Sequence, residues 1–201
     1  MVDKVVSALR RGALVILPTD TVYGVAADPR APGTPGTPGA EERLFRAKCR
    51  PGNKPIPLLA ADYRQVEASR AELGVAGRAL AARYWPGALT LVLKTGNTWE
   101  GFRVPHHPAT QAILKAVGGM LRVTSANMSG KPPALTAAAA VAALGSAVEL
   151  VVDAGPAPGG VPSTVVRIGA GRCDVLREGA IPIPEIAETV TRGKESGLAQ
   201  G

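Results

Sequence analysis

Aromatic residues, cysteine and histidine are scarce in this chain of 201 residues. Phe, Trp and Tyr together make up 3% of it, so Val, Leu, Ile and Ala must fill the core. The two cysteines, Cys49 and Cys173, lie far apart, and the two histidines are the adjacent His106 and His107. This inventory excludes a CxxC-type zinc site and a disulfide framework, and it indicates a reducing, cytoplasmic setting.

The N-terminal part of the chain lacks a long hydrophobic run. Its apolar stretch covers only Ala13–Leu17, directly before Pro18. That stretch is shorter than a signal-peptide core or a membrane span, so we expect a cytosolic protein with no membrane partner. The chain also has no GxxxxGK[ST], GxGxxG, GxSxG or HExxH motif. If it binds ATP, it must do so with another architecture.

Acidic residues are fewer than basic ones: the chain has 16 Asp and Glu residues and 23 Lys and Arg residues, which gives a net charge of +7. This surplus favours anionic partners such as a nucleotide, pyrophosphate, RNA or an acidic membrane surface. No run of five Lys and Arg residues forms a basic tail, so the surplus is spread through the fold. A solvated basic surface without such a partner is the alternative interpretation.

Apolar periodicity and turn residues predict alternating helices and strands. The expected helices cover residues 3–11, 41–48, 62–84, 108–117, 136–144 (with Thr136 as N-cap) and the C-terminus; the expected strands cover 13–17, 22–27, 56–60, 89–94, 101–104, 120–124, 148–153, 164–168 and 173–176. This pattern indicates an α/β fold with a mixed sheet. We expect one domain over residues 1–190 and a disordered tail over 191–201. Residues 29–39, rich in Pro and Gly, are expected to form a surface loop, either a tolerated insertion or a binding loop.

Polar clusters follow the predicted strands at six places along the chain. They are PTDTVYG at 18–24, KCRPGNKP at 48–55, RVP at 103–105, TSANMSG at 124–130, STVV at 163–166 and REG at 177–179. Ligands of α/β proteins collect where such loops converge beyond the strand ends. Each cluster alone is compatible with an ordinary turn or helix end. Four or more basic side chains meeting in one place, however, would need an anion to neutralise them.

These segments, in this order and together with PGALTLVL at 86–93, resemble the YrdC/Sua5 family of threonylcarbamoyl-AMP synthases over residues 9–181. The length resembles the short, single-domain type. The resemblance implies a twisted mixed sheet with helices around a large concave basic cavity. It also implies a reaction in which L-threonine, bicarbonate and ATP give threonylcarbamoyl-AMP and pyrophosphate. A partner transferase would then use this intermediate to modify adenosine 37 of tRNA.

The resemblance also implies a set of site residues. Those expected to contact L-threonine are Thr21, Arg103, Val123 and Ser163. Those expected to contact ATP are Lys48, Arg50, Lys54, Ser125, Asn127 and Arg177, of which Lys48 and Arg50 would provide electrostatic catalysis. No side-chain metal site is expected, and Mg²⁺ would be bound through the ATP phosphates.

Cationic side chains suit this chemistry. The carbamate made from threonine and bicarbonate attacks the α-phosphorus while pyrophosphate leaves, so the site must hold two anions together and stabilise the leaving group. Arginine offers a planar fork to a carboxylate or phosphate, whereas lysine acts as a point charge. The reaction requires no nucleophilic side chain.

Two positions depart from the family pattern, because many members have His where Leu59 stands and Thr where Trp99 stands. The first departure leaves open a related branch of unknown reaction. A second alternative is an RNA-binding module for tRNA or double-stranded RNA, although no aromatic residue interleaves with the basic clusters. A third is a carbamoyl-transfer module, which occurs in much longer chains. We interpret His106 and His107 as structural or rim residues.

Overall fold

The computed structural model describes residues 1–33, 37–52, 54–169 and 171–198, so residues 34–36 of the predicted surface loop lie outside the described ranges. The helices are α1 Val2–Arg10, α2 Ala40–Ala47, α3 Tyr63–Ala68, α4 Gly74–Tyr84, α5 Pro108–Val117, α6 Ala137–Leu144 and α7 Ile183–Leu198. The strands are β1 Val15–Leu17, β2 Gly24–Ala27, β3 Leu58–Leu59, β4 Leu89–Thr95, β5 Thr98–Arg103, β6 Leu121–Ser125, β7 Leu150–Val151, β8 Thr164–Gly169 and β9 Arg172–Arg177. In the described ranges, no helix has both the length and the apolar character needed to cross a membrane.

These strands form one mixed sheet in the order β7-β1-β2-β6-β3-β5-β4-β8-β9. Three pairs are parallel, namely β1–β7, β3–β5 and β4–β8, and the others are antiparallel. The predicted α/β fold with a twisted mixed sheet is therefore confirmed. The register also brings distant clusters together: Gly24 pairs with Ser125, Leu59 with Arg103, and Val165 with Arg177.

The half of the sheet around β1 is buried on both faces. Val15 and Leu17 belong to a core cluster shared with α1 and α5, whereas Ile16 belongs to a cluster shared with α2 and α6. This division follows from the alternation of side chains along a strand. The short apolar run in the sequence predicted such a strand, and all its residues are fully buried.

The half of the sheet around β4 uses its two faces differently. Leu89, Leu91 and Leu93 pack into a core cluster with α4 and α7. Between them, Thr90 and Val92 point to the opposite face and line a cavity. One strand thus supplies the core with one face and the cavity with the other.

Residues 62–84 do not form the single predicted helix. Asp62 caps α3 by accepting a hydrogen bond from the Gln65 amide at 3.0 Å. The helix then ends at Ala68, because Arg70 adopts a positive φ of 59°, outside the helical region. The second helix, α4, starts at Gly74. The prediction failed because Arg70 gives no sequence signal for this backbone conformation.

The ends of three other elements also bear on the predictions. Helix α7 extends to Leu198, past the predicted start of a disordered tail at residue 191. One reason is that α7 packs closely on α4: a Cβ added to Gly193 would lie only 2.5 Å from Ala79 Cβ. The other is an ion pair of 2.6 Å between Arg192 and Glu188. The strand predicted over 148–153 shortens to Leu150–Val151. The predicted N-cap of α6 is confirmed, since Thr136 Oγ1 accepts from the Ala139 amide at 3.1 Å.

Candidate active site

A cavity of about 490 Å³ lies on the face of β4, β5 and β8 that is opposite to α4 and α7. Eight of the ten predicted site residues line it: Thr21, Arg50, Arg103, Val123, Ser125, Asn127, Ser163 and Arg177. The structure therefore brings together loops that are up to 156 residues apart in the sequence (Thr21 to Arg177). The binding role of each side chain remains a prediction.

The guanidinium of Arg103 is held in place from three sides. It donates from Nε to the Gly87 carbonyl at 2.9 Å, from Nη1 to Thr21 Oγ1 at 2.9 Å, and from Nη2 to Asp20 Oδ1 at 2.7 Å. The side chain is almost fully buried, with 8% of its surface exposed. Within the described part of the chain, these bonds leave one N–H on each terminal nitrogen for a ligand.

The hydroxyl of Thr21 lies between Thr19 and Arg103. Thr19 Oγ1 donates its proton to the Val22 carbonyl at 2.7 Å and accepts from the Thr21 and Val22 amides at 3.2 and 3.3 Å. Both lone pairs of Thr19 Oγ1 are thus used, and its 3.0 Å contact with Thr21 Oγ1 does not fix the direction of the Thr21 proton. Because Thr21 Oγ1 accepts from Arg103, it offers a ligand one remaining acceptor site. An ammonium or a hydroxyl of a ligand can donate to that site.

A second hydroxyl pair lies on the β4–β8 floor of the cavity. Ser163 Oγ and Thr90 Oγ1 are 2.9 Å apart, and both residues are buried. Arg177 reaches this pair from β9, donating from Nη2 to the Ser163 carbonyl at 2.7 Å. Thr90 was not among the site residues predicted from the sequence. Its position at the second step of the apolar alternation LTLVL is the signal that could have identified it.

Three arginines raise the positive potential of the cavity. Burial lowers the pKa of Arg50, of Arg103 and of Arg177, and the charge of Arg177 lowers the pKa of the other two further. Asp20 acts in the opposite direction on the pKa of Arg103. Such repulsion among cations favours a bound anion, since an anion would offset it.

Lys48 lies beneath the turn that follows β6 rather than in the cavity wall. Its side chain is fully buried, and its ammonium donates to the Ser125 and Asn127 carbonyls and, at 3.4 Å, to Asn127 Oδ1. Burial and the nearby Arg50 charge lower the pKa of Lys48 to about 8. The ammonium thus holds the backbone of the Ser125–Asn127 turn, and it is not among the described residues that line the cavity.

Arg50 and Lys54 belong to one loop but differ in placement. Arg50 lines the cavity and donates from Nε to the Lys54 carbonyl at 2.7 Å and from Nη2 to the Pro55 carbonyl at 3.0 Å. The side chain of Lys54 is exposed and does not line the described cavity. Another cation, Lys131, lines it instead. Lys131 was not among the residues predicted from the sequence, although it directly follows TSANMSG.

His106 and His107 lie beside the Asp20–Arg103 pair rather than among the described residues that line the cavity. The backbone amide of His106 donates to Asp20 Oδ1 at 3.1 Å. Burial lowers the pKa of His107, which directly precedes α5. Both placements agree with structural or rim positions.

The loop at 154–162 rests on the backbone of the Thr21 turn. The Gly160 amide donates to the Thr21 carbonyl at 2.8 Å. A Cβ on Gly159 would lie only 2.5 Å from the Asp20 carbonyl oxygen and 3.1 Å from Thr21 Cα. A side chain at position 159 therefore cannot be accommodated without moving one of the two loops.

If L-threonine binds in this cavity as the family resemblance implies, Gly159→Ala is expected to raise its KM by roughly five- to tenfold, because the substitution displaces Thr21 by tenths of an ångström and misaligned contacts weaken binding. Gly52→Ala is the matched control, since a Cβ there would meet nothing within 4 Å. Steady-state kinetics with varied threonine would check both variants. Equal behaviour of the two would show that the contact at Gly159 is unimportant.

Comparison with known proteins identifies the family. The model for Sua5, YciO and YrdC proteins, described as "Telomere recombination", matches residues 7–179. A putative threonylcarbamoyl-AMP synthase of Mycobacterium tuberculosis is 34% identical over 195 residues, covering 92% of this chain and 87% of the relative. The chain belongs to the Sua5/YciO/YrdC family.

Two further members of the Sua5/YciO/YrdC family show how far the similarity extends. The threonylcarbamoyl-AMP synthase of Chromohalobacter salexigens is 37% identical over 178 residues, covering 83% of this chain and 91% of the relative. The crystal structure of Pyrococcus abyssi Sua5 complexed with L-threonine superposes with a TM-score of 0.83 and 29% identity. That match covers 94% of this chain but only 56% of the Pyrococcus chain.

The two departures from the Sua5/YciO/YrdC pattern both line the cavity. Leu59 is 3% exposed and gives the wall an apolar side chain where many members have an imidazole. Trp99 is 43% exposed, and the Arg167 guanidinium lies 5.7 Å from its ring centroid. Polar contacts to a ligand beside Leu59 must therefore come from its neighbours, which include the Arg103 that pairs with it across β3 and β5.

Proposed function

We propose that this protein is an L-threonylcarbamoyladenylate synthase, a nucleotidyltransferase that converts L-threonine, bicarbonate and ATP into threonylcarbamoyl-AMP and pyrophosphate. The observation that carries the proposal is the convergence of Arg50, Arg103 and Arg177 with two buried hydroxyl pairs in one cavity. The names of the relatives and the threonine complex of Pyrococcus Sua5 support the same substrates.

One end of the cavity suits an amino acid. The two uncommitted N–H groups of Arg103 can hold a carboxylate, and Thr21 accepts from an ammonium or hydroxyl. Ser163 and the backbone of Val123 complete this end. L-Threonine carries all three of these groups: a carboxylate, an amine and a β-hydroxyl.

The part of the cavity around Arg50, which extends to Arg177 beside Ser163, suits a triphosphate. Arg50 and Arg177 repel one another, and an anion between them would remove that repulsion. Ser125 and Asn127 present a turn that Lys48 fixes from below. In this assignment Lys48 acts on ATP through the turn and its charge, while Lys54 meets the outer phosphates from the rim.

The proposed reaction joins the ligands bound at the two ends of the cavity. The threonine amine and bicarbonate give a carbamate and water; a carbamate oxygen then forms a bond to the α-phosphorus while the bond from that phosphorus to the bridging oxygen breaks, releasing pyrophosphate. The arginines shield the two anions from one another and stabilise the charge on the leaving group. Among the described residues no group of three His, Cys, Asp or Glu side chains could hold a metal ion. We assign Mg²⁺ to the ATP phosphates, where it would neutralise charge.

The product is a mixed anhydride that must be consumed by a group-transferring partner. We propose that a tRNA-modifying transferase takes the threonylcarbamoyl group to adenosine 37 of tRNA in the cytoplasm. Direct binding of tRNA or double-stranded RNA by this chain is a separate hypothesis, which a gel-shift measurement would check.

The assay for the proposal measures pyrophosphate release from ATP with each substrate omitted in turn. We expect release only when L-threonine and bicarbonate are both present, and we expect L-alanine to support less than a tenth of the rate, since it lacks the hydroxyl. Release that is unchanged without threonine would overturn the substrate assignment. RNA binding without any release would instead favour a binding module, and ATP cleavage with another acid would favour a related branch with a different reaction.

A further inference from the structure

Asp20 forms a buried ion pair with Arg103 just outside the cavity. The distance from Arg103 Nη2 to Asp20 Oδ1 is 2.7 Å, and 8% and 13% of the two side chains are exposed. Arg103 lines the cavity, whereas Asp20 is not among the described lining residues. Any influence of Asp20 on a ligand must therefore pass through the residues that it contacts.

The first such influence is on the direction of the Arg103 fork. A guanidinium is planar, so fixing Nη2 on Asp20, Nη1 on Thr21 and Nε on Gly87 fixes the orientation of the two remaining N–H groups. Of these three acceptors, Asp20 is the charged one, and bonds to ionised acceptors are roughly twice as strong as neutral ones. Asp20 thus contributes most to the orientation.

The second influence is on the loop after β5. The same Oδ1 atom of Asp20 accepts from the His106 amide at 3.1 Å. The carboxylate therefore ties the Thr19–Thr21 turn to the end of β5, from which Arg103 projects. These two segments are separated by more than eighty residues in the sequence, and Asp20 joins them at a single atom.

The third influence is electrostatic. Arg103 is buried in a cavity that also contains Arg177, and both burial and the Arg177 charge disfavour its charged form. The carboxylate of Asp20 opposes both effects. Without it, Arg103 would be a buried cation that repels Arg177, and it would gain by turning away toward solvent.

We propose that Asp20 is a positioning residue for L-threonine recognition. It acts by holding the Arg103 fork in the orientation that receives the substrate carboxylate and the Thr21 hydroxyl in the orientation that receives the substrate amine or hydroxyl. This inference rests on the proposed function and adds to it. It also assigns Asp20 no proton transfer, since Asp20 is not among the described residues that line the cavity.

The experiment is a double-mutant cycle on the dissociation constant of L-threonine, measured by titration calorimetry with Asp20→Asn, Arg103→Ala and the double variant. We expect Asp20→Asn to weaken threonine binding about tenfold in the wild-type background, the loss typical of one charge-assisted bond. In the Arg103→Ala background the same change should weaken binding by less than about twofold, because there is no fork left to orient. KM for ATP should change little in Asp20→Asn.

Glu149→Gln is the matched control, since it removes a carboxylate that bonds to an arginine, the exposed Arg11, away from the cavity. If Asp20→Asn does not fold, as judged by thermal denaturation, Asp20→Glu keeps the charge and shifts the fork, and it should show the same loss for threonine alone. Equal losses in both backgrounds would overturn the inference. A fall in kcat with unchanged threonine affinity would do so as well, since it would indicate a proton-transfer role. Absence of threonine binding by the wild-type protein would contradict the proposed function itself.

Discussion

Replacing Arg103 by alanine is expected to raise KM for L-threonine about a hundredfold, whereas KM for ATP should change less than about threefold. The reason is that the substitution removes a bidentate, charge-assisted contact at one end of the cavity only. Arg50→Ala should show the reverse pattern, with KM for ATP raised roughly tenfold. Steady-state kinetics with each substrate varied at saturation of the others would check the pair.

The Arg103 variant needs a control for stability, because its partner Asp20 would be left buried without a cation. Breaking a buried pair in this way costs about 3–5 kcal/mol. Arg103→Lys keeps the charge but loses the fork, so it should remain folded and still bind threonine poorly. Arg10→Ala removes an exposed arginine in the last turn of α1 and should change neither KM value. Equal effects of Arg50→Ala and Arg103→Ala on both substrates would show that the two ends of the cavity are assigned wrongly.

Lys48→Met is expected to lower kcat/KM for ATP about a hundredfold, since misplacing a binding loop by an ångström has an effect of this order. The substitution removes the ammonium that bonds to the Ser125 and Asn127 carbonyls, so the turn relaxes although no contact to ATP is deleted. Lys115→Met, on the exposed side of α5, is the control. A crystal structure of Lys48→Met with an unmoved turn, or unchanged kcat/KM for ATP, would contradict this account.

The same lysine gives two effects of pH with opposite signs. Its pKa is about 8 in the folded protein and near the ordinary 10.5 when unfolded, so between these values the unfolded chain binds more protons. The free energy of unfolding of the wild type should therefore rise with pH over this range, relative to Lys48→Met. ATP affinity should fall as pH rises through about 8, because the neutral amine has only two N–H groups for three acceptors. Denaturant titrations and ATP titrations from pH 7 to 10 would check both signs.

Strand ends were the most predictable part of the site. Thr21 follows β1, Ser125 and Arg177 end β6 and β9, and Ser163 directly precedes β8. The sheet register brings such residues together. Their types also suit anions and small polar ligands. Position and composition therefore favoured a common location for these four residues, which line one cavity, whereas their binding roles were implied by the resemblance to the YrdC/Sua5 family and stay predictions.

The direction of individual side chains was not predictable. Lys48 and Arg50 are two residues apart in KCR, but one points beneath the turn and the other into the cavity. The pairing of Asp20 with Arg103 depends on the order of strands in the sheet, which no local pattern contains. Thr90 was not predicted as a cavity residue, because it lies in an apolar strand and the sequence does not reveal which face of β4 the helices cover.

The two-sided use of β4 has a consequence for the evolution of substrate range. Because Leu89, Leu91 and Leu93 alone anchor this strand in the core, substitutions at Thr90 and Val92 can alter the shape of the substrate pocket with little effect on folding. A combinatorial library at these two positions and at Val165 should yield mostly well-expressed variants with altered amino-acid preference.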